Sequence, residues 1–255
     1  MEHYNAYNTL EYLSKFDQQE ILIQTAKGFI KFTFNKLSVP HLLGLHYMYD
    51  VSNIRYISAS QMFKEVINHH MSDEKILERV RYHNGEITCN RVAKRIENLL
   101  DFFQSLEEAI LYAESSFNNS HSCILVKTKD DGFLELFVDN QTRQAYFQNY
   151  ESNDCISSKS FLRSFIYEST DLKLINYTVL EPVTMLAAYS EKLESYISFS
   201  FNNEKNTLYS KVEKNELTNG EIKTIKDLLS KGMDIEKVEE YINQHSINED
   251  SGLSL

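Results

Sequence analysis

The sequence predicts an α+β fold, with N-terminal helices packed on an antiparallel sheet and a C-terminal helical hairpin. Three observations predict it. Apolar residues recur at helical spacing through much of the first 115 residues. After about Ser122 the period changes from 3.6 to 2, with turn residues between short β-rich runs. Beyond Lys211 charged amphipathic segments return. The chain divides on this reading into an α+β domain over 1–210 and a helical appendage with a tail over 211–255.

Taken in order, "NTLEYLSKF" places Leu10, Leu13 and Phe16 on one helical face. "EILIQTAKGFIKFTF" reads as two short strands joined at "AKG". "SASQMFKEVINHH" carries Met62, Phe63, Val66 and Ile67 on one face, and "MSDEKILERVRYHNG" has a cap-like start and a stop at Gly85. A longer helix is expected from about Asn90 to Ser115, its stripe running through Val92, Ile96, Leu99, Leu100, Phe103, Leu106, Ile110 and Leu111. "SCILVKTK", "GFLELFVDN" and "QAYFQNY" follow as strands, the first two joined at "KDDG". "SKSFLRSFIYES" fits a further helix, and "LINYTVLEPVTML" and "SYISFSFN" extend the sheet. The Lys- and Asn-rich "NNEKNTLYSKVEKNE" has linker composition, and two helices meeting at Gly232 form the hairpin.

A net charge of −11 is unlike that of proteins that coat nucleic acid through sequence-independent phosphate contacts. It leaves room for a local basic pocket or a basic protein partner. Cys89, Cys123 and Cys155 are odd in number and lack CxxC spacing, which fits a reducing cytoplasm. No stretch approaches the roughly 20 apolar residues of a membrane span. The N-terminus lacks the pattern of a signal peptide, so a cytoplasmic location is expected. Glycine-rich phosphate loops, HExxH and G-x-S-x-G are all absent. Adjacent His69 and His70 point about 100° apart on a helix and do not face one metal.

"PHLLGLH" is the segment where chemistry is worth seeking. A spacing of five does not put His41 and His46 on one helical face, but a turn at Gly44 can bring both rings to one pocket. Spacing leaves two readings open: hydrogen-bonded core histidines, or an acid and a base near neutral pH. "RVRYH" can contact phosphate or form the polar face of a helix, and Tyr146 and Phe147 can stack a base or fill two sheet faces.

The run "FIKFTFNKLSVPHLLGLHYMYD", followed by "NRVAKRIENLLDFF" and a strand beginning "CILVKT", resembles the PBECR4 family. These are phage-associated domains grouped with RNases of the barnase, EndoU, colicin E5/D and RelE type. The resemblance covers Leu22 to Tyr150 and rests on the His41-Leu42-Leu43-Gly44-Leu45-His46 block and the Arg95-Ile96 pair. Where family members often have Lys after the second His, this chain has Tyr47.

The resemblance implies metal-free RNA cleavage: a base takes the ribose 2′-hydroxyl proton, that oxygen attacks the phosphate, and an acid protonates the leaving 5′-oxygen. His41 and His46 would share the proton transfers. Arg95 first, and Lys127 second, would balance charge on the nonbridging oxygens; otherwise Arg95 is a solvated helix charge and Lys127 an exposed strand residue. No cofactor and no metal are expected, since Asp130–Asp131 and Glu107–Glu108 are neighbours in a turn and a helix rather than convergent ligands. The expected partners are an RNA substrate and a protein antitoxin or host protein. The alternative is a catalytically silent acidic protein on the same scaffold that binds and blocks a host nuclease or defence system.

Overall fold

The computed structural model describes residues 5–26, 28–50, 57–114, 123–128, 132–137, 161–166, 177–202, 205, 208–233 and 237–242. Helix α1 (Ala6–Ser14) starts at Asn5, whose side chain accepts the Asn8 N–H at 2.7 Å, and buries Ala6, Leu10 and Leu13. Strands β1 (Glu20–Thr25) and β2 (Gly28–Thr33) pair antiparallel from Glu20↔Thr33 to Thr25↔Gly28, as the sequence predicts. Short helix α2 (Val39–Leu43) begins around Pro40 and ends at Gly44, whose φ of +79° turns the chain into a 3₁₀ segment, Leu45–Met48. Helix α3 (Ala59–Asn68) opens with a capping box between Ser58 and Gln61 and buries Met62 and Val66.

Helix α4 (Asp73–Gln104) is kinked at Gly85, where φ is +78° and ψ 174°. The stop expected there is therefore a bend, and the second limb starts before Asn90. The limb also ends earlier than Ser115. Ser105 closes it, Leu106–Glu108 form a 3₁₀ turn, and Ile110–Glu114 are strand β3. Ile110 and Leu111 continue the helical spacing in sequence, yet β3 gains a hydrogen-bonding neighbour on each edge, β4 and β7. Tertiary pairing thus overrides local periodicity.

The sheet continues with β4 (Cys123–Lys127), β5 (Phe133–Phe137), β6 (Phe161–Ile166), β7 (Tyr177–Ser190) and β8 (Ser195–Ser198). Among the described residues its order is β2-β1-β7-β3-β4-β5-β6, with β8 also paired to β7, and every pair is antiparallel. The long strand β7 joins the two halves, since β1 and β3 take opposite edges. Its Pro182 lacks an N–H and sits where the β3 register shifts, the kind of irregularity to which a proline inside a sheet is confined. The sheet curls so that β6 comes against both β2 and α2.

Strand β6 corrects the helix expected for "SKSFLRSFIYES". Leu134 and Leu136, two apart on β5, pair with Phe165 and Leu162, three apart on β6. The bulge inserts one residue, so an i, i+3 pair shares a sheet face and imitates helical spacing. Phe165 then packs edge-on against Phe102 of α4, with centroids 5.2 Å apart. The run "QAYFQNY" lies outside the described residues.

One apolar cluster fills the space between α1–α4 and the sheet. Phe34, Phe103, Phe199 and Phe201 of this cluster, with partly buried Phe16 packed against them, form a mostly edge-to-face group, with Phe201 4.9 Å from Phe16 and 5.0 Å from Phe103. The stretch read as linker carries helix α5 (Leu208–Glu213), so the 210/211 boundary falls inside a helix. Helix α6 (Asn219–Ser230), Gly232 at φ +75° and a helical stretch over 237–242 follow. Leu208, Val212, Ile225, Val238 and Ile242 all belong to the same cluster as α1–α4. Among the described residues no helix is long and apolar enough to cross a membrane.

Candidate active site

The block from His41 to Met48 is anchored by apolar residues and edged by polar ones. Leu42, Leu43, Leu45 and Met48 are buried, whereas His41 is exposed and His46 and Tyr47 are half-buried. Helix α2 is five residues long, about one and a half turns, before Gly44 reverses the chain. In that left-handed conformation the Gly44 N–H bonds the His41 carbonyl at 3.0 Å. His41, in the last turn of α2, and His46, in the next 3₁₀ turn, then meet with ring centroids 5.2 Å apart and planes 45° apart. The turn expected at Gly44 therefore does bring the two imidazoles together.

Helix α4 supplies the third group. Its buried stripe, Val92, Ile96, Leu99 and Phe103, fixes the rotation of the second limb. Val92 and Arg95, three apart and so on neighbouring positions of one face, are set against Gly44. A methyl group on Gly44 would stand 3.1 Å from Val92 Cγ2, 3.3 Å from an Arg95 terminal nitrogen and 3.4 Å from Tyr47 Cδ2. The missing side chain lets helix α4 approach closely enough for the Arg95 guanidinium to come beside His46.

Electrostatics at this point are one-sided. Burial first, then the His41 imidazole and the Arg95 guanidinium, push the His46 pKa from 6.5 to about 4. His41 is lowered too, because neighbouring atoms strip part of its hydration even though some of the residue faces solvent. Among the described residues His46 Nδ1 is buried with no hydrogen-bond partner, so no protein acceptor stabilises an imidazolium there. The arrangement holds His46 neutral near pH 7 and places a permanent cation beside it.

Several supports are invisible to motif reading. Tyr47 lies against His46 with ring centroids 4.0 Å and planes 41° apart. Asn84 Nδ2, next to the Gly85 kink, donates to the carbonyls of Tyr47 at 2.6 Å and Tyr49 at 3.3 Å, tying the 3₁₀ segment to α4. The Tyr49 hydroxyl donates to Glu65 of α3, which also pairs with Arg79 of α4. Burial would raise the Glu65 carboxyl, but those two partners prevail and leave it lowered, while Tyr49 is raised by burial and by Glu65. In the sequence only the helix stop at Gly85 marks this place, and nothing there singles out Asn84 as a support.

Of the basic groups considered from sequence, Arg79 pairs with Glu65 and Arg81 with Glu86 at 2.6 Å, which is polar-face behaviour. Lys127 lies at the end of β4, opposite Ile110 and Phe133. By strand alternation it faces away from buried Val126, and among the described residues it makes no hydrogen bond or ion pair with the histidines. His41, His46 and Arg95 are brought together; Lys127 is not joined to them. Among the described residues no three His, Cys, Asp or Glu side chains are grouped as a metal site.

What this arrangement can do chemically is hold an anionic centre between a guanidinium and two imidazoles, one enclosed and one open. The family described as phage-Barnase-EndoU-ColicinE5/D-RelE like nuclease4, PBECR4, matches residues 8–207, a span wider than Leu22–Tyr150 that takes in the eight strands found among the described residues as well as His41, His46 and Arg95. No curated protein and no solved structure matches the chain. With most of its length matched, and with the His41–His46 block folded around Gly44 against α4, the chain belongs to the PBECR4 family of nuclease-like proteins.

Proposed function

We propose that the protein is a metal-independent endoribonuclease of phage or mobile-element origin, acting as a toxin or defence factor, that cleaves RNA by attack of the substrate's own 2′-hydroxyl. The observation that carries this reading is the meeting of His41, His46 and Arg95 around Gly44. Two imidazoles suit proton removal and proton return, and a guanidinium suits the charge that gathers on the phosphoryl oxygens. Cleavage of this kind leaves a 2′,3′-cyclic phosphate and a 5′-hydroxyl.

Mass spectrometry of the cut ends tests it. Cleavage that survives EDTA, stops on 2′-deoxy substitution at the cut and leaves the cyclic phosphate is the expected result. A magnesium-dependent 3′-hydroxyl product would sink the reading. The net charge of −11 favours a second one, an acidic protein that occupies a basic host nuclease surface without cutting RNA. Expression separates them: a nuclease slows its host and His41→Ala relieves this, whereas an inhibitor is harmless alone and copurifies with a basic partner.

A further inference from the structure

The two histidines are not equivalent, and their difference bears on which proton each would handle. His46 lies in the 3₁₀ turn between buried Leu45 and half-buried Tyr47, with Nδ1 enclosed and Arg95 beside it. Since Nδ1 is closed off, Nε2 is the nitrogen left to meet a substrate. His41, on the exposed side of α2, is open to water. With ring centroids 5.2 Å apart next to a guanidinium, two imidazoliums would repel each other and Arg95, so at rest the pair holds at most one proton beyond the single N–H of each neutral ring. That proton belongs on the better hydrated ring.

Resting on the nuclease reading above, we propose that His46 is the base and His41 the acid, divided by depth: the enclosed ring takes the 2′-hydroxyl proton and the hydrated ring protonates the departing 5′-oxygen. In one turnover His46, neutral with its own proton on Nδ1, accepts the hydroxyl proton at Nε2 as the 2′-oxygen–phosphorus bond forms. The phosphorus–5′-oxygen bond breaks as His41 gives up its proton to that oxygen. His46 then returns a proton to water and His41 takes one back, so protons and charge balance with no co-reactant. The neutral resting state that burial imposes on His46 is the state a base needs, and Arg95 beside that ring is the cation that would balance charge on the phosphoryl oxygens.

A leaving-group experiment on the full chain tests the division. One RNA oligonucleotide carries the natural 5′-oxygen at the cut, and a second carries sulfur there, which departs as a thiolate without needing a proton. The expected result is that His41→Ala slows the oxygen substrate by about a hundredfold or more and the sulfur substrate by less than about tenfold, losing the alkaline limb of its pH profile. His46→Gln should slow both substrates about equally. Rescue of the His46 variant by sulfur, or equal losses in the His41 variant, would overturn the assignment while leaving the nuclease reading intact. A wild-type chain that cuts neither substrate would overturn the nuclease reading itself, and the division of labour with it.

Discussion

Gly44 and Arg95 are in contact through a side chain that is absent: a methyl group on Gly44 would lie 3.3 Å from the Arg95 guanidinium and 3.1 Å from Val92. The same glycine has a φ of +79°, which an L side chain adopts only at a cost of about 1–2 kcal/mol. Gly44→Ala should therefore destabilise the chain by about that amount and displace Arg95. Denaturant unfolding measures the first effect. On RNA, the loss of kcat/KM should exceed the loss of stability in proportion and should resemble that of Arg95→Ala. An unfolding midpoint equal to wild type would show that the backbone relaxes without strain.

Stability should depend on pH through His46. Its folded value is about 4 against 6.5 for the free side chain, so between those values the unfolded chain binds more protons than the folded one. Stability is then full above about pH 6.5 and falls as the pH drops toward 4. His41 and Arg95, the charged groups facing His46, both act in that direction. His46→Gln should flatten the fall in this window, as read by unfolding at a series of pH values. An unchanged slope would assign the acid sensitivity to other groups.

Glu65 links three elements, accepting from the Tyr49 hydroxyl at the end of the 3₁₀ segment and pairing with Arg79 of α4. Because Arg79 is largely exposed, its ion pair contributes little, and the half-buried phenol dominates. Tyr49→Phe should cost about 1 kcal/mol and Glu65→Ala somewhat more, since it leaves the hydroxyl without its acceptor. A double-mutant cycle measured by denaturant unfolding should give a coupling of the same order. No coupling would mean that the contact adds nothing to holding the segment.

The C-terminal helices can be tested by two truncations. Ending the chain after Glu216 removes buried Ile225, Val238 and Ile242 but keeps α5, which Lys192 holds through the carbonyls of Val212 at 2.7 Å and Glu213 at 3.1 Å. That chain should still melt cooperatively, at a lower temperature, because each buried aliphatic side chain is worth about 1.5–3 kcal/mol before ordering costs. Ending after residue 207 also removes Leu208, Tyr209 and Val212 and uncovers Phe199, with Tyr209 having packed 5.2 Å from that ring. It should lose cooperative melting. Identical melting of the two would place the boundary earlier than α5.

Where local pattern and tertiary environment agreed, the fold was legible: α1, α3, the β1–β2 hairpin and strands β4, β5, β7 and β8 follow from periodicity and turn residues. It was illegible where a second partner changed the meaning of a pattern. Ile110 and Leu111 continue a helical stripe in sequence, but β4 and β7 on either side make them strand. Leu162 and Phe165 imitate a helix because a bulge puts residues three apart on one face.

The candidate site divides in the same way. By itself the sequence determined that His41 and His46 flank a glycine within an apolar block, since the leucines must be buried and Gly44 alone permits the turn. Only the tertiary structure decided that Arg95, forty-nine positions after His46 in the chain, comes against Gly44 and beside His46, because that depends on the rotation of α4 set by its buried stripe. Depth was likewise decided by packing. Spacing treats the two imidazoles alike, and the protonation of each follows from the atoms that the folded chain places around it.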